Sequence, residues 1–245
     1  FFSYLFTGLL LKPLKKSRQS QIEFVAAASH ELRTPLSVIL SASNACRKAP
    51  PEEQGMFFDI IKKEGDAMSG LISDLLTLAG ADSHSFTIRA ASCEPDTLLL
   101  DTFEAFELLA REKGYHLSIQ LPEEKTTPVF CDSDRIRQVL SVLLHNAFSF
   151  CPSGSRITLS LSQQDKITFI SVADNGPGIP DDRKAHLFDR FYRGDSSRQD
   201  TGHFGLGLSI AREIMDAHHG SLTVSDTPGG GSTFTLILNN YRKKP

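Results

Sequence analysis

The chain has 245 residues, 40% of them hydrophobic and 22% charged, which fits one large or two small globular domains. The formal net charge of -3 argues against general nucleic-acid binding, which depends on an excess of Lys and Arg. The four cysteines form no Cys-x-x-Cys pair, so we interpret them as reduced residues rather than as a disulfide framework or a zinc site.

The N-terminal segment FFSYLFTGLLL (1–11) has no charged residue and is followed at once by four basic residues, Lys12, Lys15, Lys16 and Arg18. It is shorter than the roughly 20 residues that cross a bilayer, but a basic flank is typical of the cytoplasmic side of a membrane span. We interpret residues 1–17 as the cytoplasmic end of a truncated transmembrane helix with its juxtamembrane segment. The alternative is a soluble helix that packs its apolar face on a partner.

Residues 18–80 are predicted to form two helices that are separated by the turn APPEEQG (49–55), because its prolines disfavour a helix interior. In both helices the apolar positions step by three and four residues, as in a coiled-coil seam. The seam residues are Ile22, Val25, Ser29, Leu32, Leu36, Ile39, Ser43 and Cys46, then Phe57, Ile61, Met68, Leu71, Leu75 and Leu78. Two such helices bury their apolar faces poorly alone, so we expect a homodimeric four-helix bundle.

Beyond a polar linker at 81–92, the pattern changes to mixed strands and helices. Helices are predicted near 96–113, 133–150 and 206–218, with a short one between two glycine-rich loops. The predicted strands are 115–121, 129–131, 156–162 and 166–174, followed by a C-terminal hairpin (221–226 and 232–238) around the turn TPGGG (227–231). The fold class is therefore α+β, with a sandwich of sheet and helices at 93–245.

The segment SHELRTPL (29–36) holds the first candidate site residues. At about 100° per helical residue, His30 points roughly 140° away from the seam, and Thr34 lies only about 40° from His30. A zinc-protease motif is excluded because Thr34 stands where His-Glu-x-x-His needs its second histidine. His30 would be an ordinary surface histidine unless another part of the chain supplies an electrophile.

Four downstream segments supply that context: HNAFSFCP (145–152), DNGPGI (174–179), LFDRFYR (187–193) and GHFGLGL (202–208). Each segment alone is compatible with an ordinary helix or turn, but the combination in this order is specific. The sequence has no P-loop and no Gly-x-Gly-x-x-Gly after a strand, so these common phosphate-binding motifs are excluded.

Together with SHELRTPL, these segments resemble the H, N, first glycine, F and second glycine boxes of bacterial two-component sensor histidine kinases. The resemblance extends from residue 18 to about 238. It implies a dimerisation and histidine-phosphotransfer hairpin, followed by a Bergerat-type ATP-binding domain.

The resemblance also implies a reaction, in which His30 is phosphorylated from ATP and passes the phosphoryl group to an aspartate of a response regulator. Glu31 would take or polarise the proton on the other ring nitrogen. Thr34 would orient water during dephosphorylation of the regulator, which makes the protein bifunctional. The expected location is the cell membrane, with the catalytic region on the cytoplasmic side.

For the nucleotide, the resemblance implies that Asp174 accepts a hydrogen bond from the adenine amino group. Asn146 would hold Mg²⁺ through its amide oxygen, and Arg193 would reach the γ-phosphate. Four glycines would let the backbone approach the base or form a lid over the phosphates, namely Gly176, Gly178, Gly205 and Gly207.

Val142 and Ser149 depart from the family pattern, which often has Asn and Lys at these positions, and Phe150 replaces a frequent tyrosine. These changes leave open a nucleotide-binding signalling module without kinase activity. Another Bergerat-fold ATPase is a third alternative, which the helical hairpin with His-Glu-x-x-Thr disfavours. His218 and His219 are interpreted as ordinary residues at a helix end.

Overall fold

The computed structural model describes residues 2–82, 87–193 and 204–240, without the side chains of 2–17, 20, 21, 81 and 82. The chain divides into two compact units, residues 1–76 and 77–245. The first unit consists mainly of two helices, and every strand found in the described residues belongs to the second unit.

Helix α1 spans Phe2–Cys46 and helix α2 spans Pro51–Asp82, and together they form the predicted hairpin. α2 begins inside the predicted turn 49–55, which was therefore placed too far into the second helix. Proline at the first helical position loses no hydrogen bond, and Glu52 and Glu53 in the first turn favour a helix N-terminus. Pro35 lies within α1 and does not end it.

The segment 1–17, interpreted above as the end of a transmembrane helix, falls within α1 from Phe2 onward. Residue 1 lies outside the described residues. Across the part of the chain that the structure describes, no helix is long and apolar enough to cross a membrane.

The face that α1 buries within one chain is not the predicted seam. Among the α1 side chains that the structure describes, the buried ones are Ala28, Pro35 and Ala42, at heptad spacing. Of the seam residues, Ile22 is 56% exposed and Val25 is 61% exposed. On α2 the predicted seam is buried or half-buried throughout. A single chain therefore leaves much of the apolar seam of α1 open to solvent.

The second unit is an α+β sandwich, as predicted. Its helices are α3 (Pro95–Glu112), α4 (Ser133–Phe150), the short α5 (Asp181–Lys184) and α6 (Gly207–Ala217). Its strands are β1 (Ala91–Cys93), β2 (His116–Gln120), β3 (Val129–Cys131), β4 (Arg156–Gln164), β5 (Ile167–Asp174), β6 (Ser221–Asp226) and β7 (Ser232–Asn239). Five strands form one sheet in the order β2-β4-β5-β7-β6, and β1 pairs with β3 in a separate ribbon.

One face of the sheet carries the core. β5 and β7 alternate buried and half-buried residues, the pattern of strands with one face against helices. Helices α4 and α6 pack together beside this sheet, and each contributes buried apolar residues. Each fully buried Leu or Ile stabilises such a core by about 1.5–3 kcal/mol. This packing fixes the C-terminal part of α4 relative to the end of β5.

The N-terminus of α4 is held by Asp132 and His218. The Asp132 carboxylate caps the helix by accepting from the Arg135 N–H at 3.2 Å, and it also accepts from the Arg89 N–H at 2.9 Å. The Asp132 N–H donates to His218 Nε2 at 3.0 Å, so this nitrogen carries no proton. His218 Nδ1 then donates to the Ile214 carbonyl at 2.7 Å, and the neutral ring is committed at both nitrogens.

We predict that His218 makes the stability of the chain depend on pH. Burial lowers the pKa of His218 below its ordinary value of 6.5, against the opposing effects of the hydrogen bond to Ile214 and of the Asp132 charge. In mild acid the unfolded chain therefore binds more protons than the folded chain. The neutral His218 ring therefore stabilises the folded chain in full above about pH 6.5. This contribution to the free energy of unfolding is lost as the pH falls toward the pKa of His218 in the folded chain.

The measurement is the urea midpoint between pH 8 and pH 5. His218→Asn, which cannot titrate in this range, should flatten the decline on the acid side. The control is His219→Asn at the neighbouring exposed position, where Asn tolerates the φ of 55° and the decline should persist. An equally steep decline in His218→Asn would contradict the prediction.

Candidate active site

The candidate phosphoacceptor lies on α1. His30 and Thr34 are exposed and one helical turn apart, and Glu31 between them is half-buried. Two neighbouring serines bond back to their own helix, since the Ser29 hydroxyl donates to Val25 O at 2.8 Å and the Ser37 hydroxyl to Arg33 O at 2.9 Å. His30 is thus presented to solvent on a continuous helix, on the face that helix geometry predicts.

The second candidate site centres on the Asp174 carboxylate at the end of β5. Asp174 is only 7% exposed. Its Oδ1 accepts from the Gly176 N–H at 2.8 Å and from the Ser232 N–H at 3.2 Å, and its Oδ2 accepts from the Ser232 hydroxyl at 2.6 Å. Donors on both oxygens hold the carboxylate in one orientation, and they satisfy a charged group that would be costly to bury unpaired.

Ser232 is a site residue that the sequence analysis missed. It begins β7, which pairs with β5, and it directly follows the turn that was predicted only as a hairpin connection. Gly231 before it has a φ of 103°, and a Cβ there would overlap the Asp174 carbonyl oxygen. The glycine run followed by a serine at the strand start was the available signal for this close approach.

Cys151, just after α4, forms another wall of the same site. A Cβ on Gly176 would stand 2.6 Å from Cys151 Sγ and 3.0 Å from Asp174 Oδ1, so only glycine fits between them. Burial, together with the nearby Asp174 carboxylate, raises the pKa of the Cys151 thiol to about 12. The thiol is therefore protonated at neutral pH and adds no negative charge beside the carboxylate.

Asn146 is half-buried on α4, upstream of Cys151. Its amide oxygen is the hard type of ligand that Mg²⁺ accepts. Within the described ranges there is no cluster of three or more His, Cys, Asp or Glu that could hold a metal ion. Mg²⁺ usually takes several of its ligands from phosphate oxygens and water, so a single amide ligand on α4 is compatible with its coordination.

The F-box segment and the second glycine loop contact each other. The Phe191 N–H donates to Gly205 O at 3.0 Å, and a Cβ on Gly205 would stand 2.7 Å from Tyr192 O. Arg193 is half-buried. Residues 194–203, which follow it and include Gly202 and His203 of the second glycine loop, lie outside the described residues. Gly207 is the first residue of α6.

Two family models match the chain in this order. The His Kinase A (phospho-acceptor) domain matches residues 20–84, and the histidine kinase-, DNA gyrase B- and HSP90-like ATPase matches residues 131–242. The first match contains His30, and the second contains Asn146, Asp174 and the glycine loops. The chain belongs to the two-component sensor histidine kinases.

This sensor kinase region is similar to several known proteins. It is 34% identical over 234 residues to the signal transduction histidine-protein kinase BaeS of Escherichia coli, covering 94% of this chain and 49% of BaeS. The chain thus spans about half the length of that curated relative. Full-length ShkA in complex with AMPPNP matches with a TM-score of 0.66 and 26% identity, over 88% of this chain and 45% of ShkA.

A third comparison supports the fold alone, because its sequence identity is 22%. It is the histidine kinase ThkA in complex with the response regulator protein TrrA, with a TM-score of 0.73 over 95% of this chain and 67% of that one.

The structure also shows what replaces the family's usual N-box side chains in this sensor kinase. Val142 packs on the start of α6, where a Cβ on Gly207 would stand 3.1 Å from its Cγ1. The Ser149 hydroxyl donates to the His145 carbonyl of its own helix at 2.8 Å. Neither residue supplies a positive charge.

Proposed function

We propose that this region autophosphorylates His30 from ATP and transfers the phosphoryl group to an aspartate of a response regulator. The observation that carries the proposal is the presence, in one chain, of an exposed histidine in a phosphoacceptor match and a buried, triply hydrogen-bonded Asp174 in an ATPase match. The first supplies a nucleophile that solvent and a nucleotide can reach. The second supplies a carboxylate fixed for recognition of the base.

In the proposed first step, one nitrogen of the neutral His30 ring attacks the γ-phosphorus of ATP. A nitrogen–phosphorus bond forms, the bond from phosphorus to the bridging oxygen breaks, and ADP leaves. The proton on the other ring nitrogen is taken or polarised by Glu31, the adjacent acidic residue. The transition state of such a transfer is loose, so the protein contributes mainly position and charge.

In the proposed nucleotide complex, Asp174 accepts a hydrogen bond from the adenine amino group. Asn146 would hold Mg²⁺, which would neutralise phosphate charge. Arg193 approaches the γ-phosphate, and the loop at Gly205 and Gly207 covers the phosphates before the N-terminus of α6. The AMPPNP complex of the similar ShkA supports a nucleotide in this domain.

The transfer step has a direct test. The chain is labelled with γ-labelled ATP and Mg²⁺, freed of nucleotide, and mixed with a panel of purified receiver domains. We expect at least one domain to take the label, and its variant without the acceptor aspartate to take none. The match to the His Kinase A (phospho-acceptor) domain, which contains His30, supports a phosphate on this residue. A chain that takes no label from ATP would contradict the proposal.

The proposed location is the cell membrane, with the catalytic region on the cytoplasmic side. The support is the sequence order, in which the uncharged segment 1–11 is followed by Lys12, Lys15, Lys16 and Arg18.

We predict that the hairpin makes the protein a homodimer through the exposed seam of α1. Val25→Glu should shift the chain to a monomer at micromolar concentration, because it places a charge in an interface that otherwise has no charged residue among its seam positions. The matched control is Leu108→Glu on α3, a residue 64% exposed, similar to Val25 at 61%. Sedimentation velocity should show a dimer for the parent and the control. A monomeric parent would contradict the prediction.

We also propose that the protein dephosphorylates its response regulator, with Thr34 orienting the attacking water. Thr34 is exposed one turn after His30, and its hydroxyl can both donate and accept. Thr34→Ala should still label His30 and pass the phosphate on. It should lose most of the acceleration of regulator dephosphorylation, since this step depends on the position of water.

The assay mixes purified phospho-regulator with the parent or the variant in the presence of ADP. Ser37→Ala is the matched control, because it removes another exposed hydroxyl of α1 that bonds back to Arg33. Dephosphorylation by Thr34→Ala at the parent rate would leave Thr34 as a surface residue without this role.

A further inference from the structure

The first glycine loop (174–179) leads into α5, and an ion pair joins α5 to the sheet. Lys184, the last residue of α5, places its Nζ 2.8 Å from each carboxylate oxygen of Asp226. The same Nζ lies 2.7 Å from Asp181 Oδ1, within α5. The Lys184 side chain is only 17% exposed, whereas that of Asp226 is 67% exposed. The lysine stem therefore lies in the contact between α5 and the end of β6.

Packing contributes little to the position of α5. The helix has four residues, and all four are exposed or half-buried. Its N-cap residue is Pro180, whose ring has no atom that accepts a hydrogen bond. Asp226, in contrast, belongs to a paired strand, because it lies opposite Ser232 in the β6–β7 ladder. The pair of Lys184 with Asp226 thus connects a weakly packed segment to the sheet.

This pair completes a series of contacts along the first glycine loop. At the start of the loop, Asp174 accepts from the Gly176 N–H at 2.8 Å. In its middle, a Cβ on Gly178 would stand 3.4 Å from the Gly231 carbonyl oxygen, so the loop backbone lies against the turn between β6 and β7. Beyond its end, Lys184 holds α5. The loop is therefore attached to the sheet on both sides.

We propose that Lys184 is a positioning residue for nucleotide binding, and that its ion pair with Asp226 holds the first glycine loop in the conformation that receives adenine. The inference rests on the proposed function, which places adenine at Asp174, the first residue of this loop. Without the pair the loop populates other conformations, and ATP binds only the competent fraction. The apparent dissociation constant rises as that fraction falls.

The experiment measures the dissociation constant of ATP by calorimetry for Lys184→Met, Asp226→Asn and the double variant. Methionine keeps most of the lysine stem without the charge, and asparagine keeps the shape of the carboxylate. Each single variant should bind ATP about three-fold more weakly, the scale of an exposed ion pair. The double variant should bind no more weakly than either single variant, because both substitutions break the same contact.

The effect of Asp226→Asn separates positioning from a simple effect of charge on the anionic nucleotide. Loss of charge alone would weaken ATP binding in Lys184→Met but strengthen it in Asp226→Asn, because the second substitution removes a negative charge. The proposal requires weaker binding in both. Lys184→Arg, which keeps the positive charge, should recover most of the affinity.

Asp181→Asn is the matched control, because it removes the partner of Lys184 that lies within α5 and leaves the link to β6. It should bind ATP like the parent. Thermal unfolding without nucleotide identifies any variant that fails to fold, and Lys184→Gln or Asp226→Ser then takes its place. Tighter binding by Asp226→Asn, additive losses in the double variant, or parent affinity in both single variants would overturn the inference.

Asp174→Asn separates this inference from the proposed function. If Asp174→Asn weakens ATP binding while Lys184→Met and Asp226→Asn bind like the parent, Lys184 has no positioning role and the adenine assignment stands. If Asp174→Asn binds ATP like the parent, the adenine assignment is overturned, and the role of Lys184 with it.

Discussion

His30→Gln is expected to abolish phosphate incorporation from ATP and to leave nucleotide binding at the parent level. Glutamine has no ring nitrogen that can attack phosphorus, so the loss should be complete within detection. The side chain is exposed on α1, where a substitution of similar size costs little stability. Incorporation is measured with γ-labelled ATP and Mg²⁺, and binding is measured separately by calorimetry.

The matched control is His116→Gln, which removes an exposed histidine on β2. This variant should incorporate phosphate like the parent. Undiminished labelling of His30→Gln would place the phosphoacceptor on another residue.

Asp174→Asn is expected to weaken ATP binding by roughly ten-fold to a hundred-fold, with or without Mg²⁺. An amide cannot accept at both terminal atoms, whereas both Asp174 oxygens accept hydrogen bonds in the structure. The NH₂ group of the amide would face either the Ser232 hydroxyl or the two N–H groups, of Gly176 and Ser232, that donate to Oδ1 in the parent. Calorimetric titration with ATP and with ATP plus Mg²⁺ measures both conditions.

Asn146→Ala is the companion variant, because it acts through the metal. It should weaken ATP binding when Mg²⁺ is present and change it little when Mg²⁺ is absent. Autophosphorylation should fall in both variants. If both variants bind ATP like the parent under both conditions, the nucleotide site lies elsewhere.

The periodic elements of the fold were predictable from the sequence. Strands such as β4 and β5 alternate their apolar residues, and helices such as α4 repeat them every three or four residues. The turn TPGGG between β6 and β7 was also predicted, because proline and glycine define tight turns. The start of α2 was not, since two prolines indicate a break while proline at the first helical position is favourable.

The face that α1 buries within one chain was another feature that the sequence pattern did not reveal. Large apolar residues define the seam, but small side chains let two helices approach, and Ala28 and Ala42 are buried within the single chain. The large residues Ile22 and Val25 stay exposed. A pattern of hydrophobicity therefore identified an apolar face without revealing which partner covers it.

The candidate site was only partly predictable. His30 and Asp174 lie in recognisable motifs, but Ser232 reaches Asp174 only because β7 pairs with β5. Cys151 reaches it only because α4 packs against this side of the sheet. Such contacts depend on strand order and helix packing between segments far apart in sequence, which local spacing does not encode.

The chemical stability of the phosphate on the parent chain tests the central proposal most directly. The chain is incubated with γ-labelled ATP and Mg²⁺, and the labelled protein is then treated with acid or with alkali and mapped by peptide mass spectrometry. A phosphate bound to a histidine nitrogen is lost in acid and survives alkali, so we expect that behaviour and a single modified peptide containing His30. An acid-stable phosphate, or a chain that binds Mg²⁺ and ATP but incorporates nothing, would contradict the assignment of His30 as phosphoacceptor.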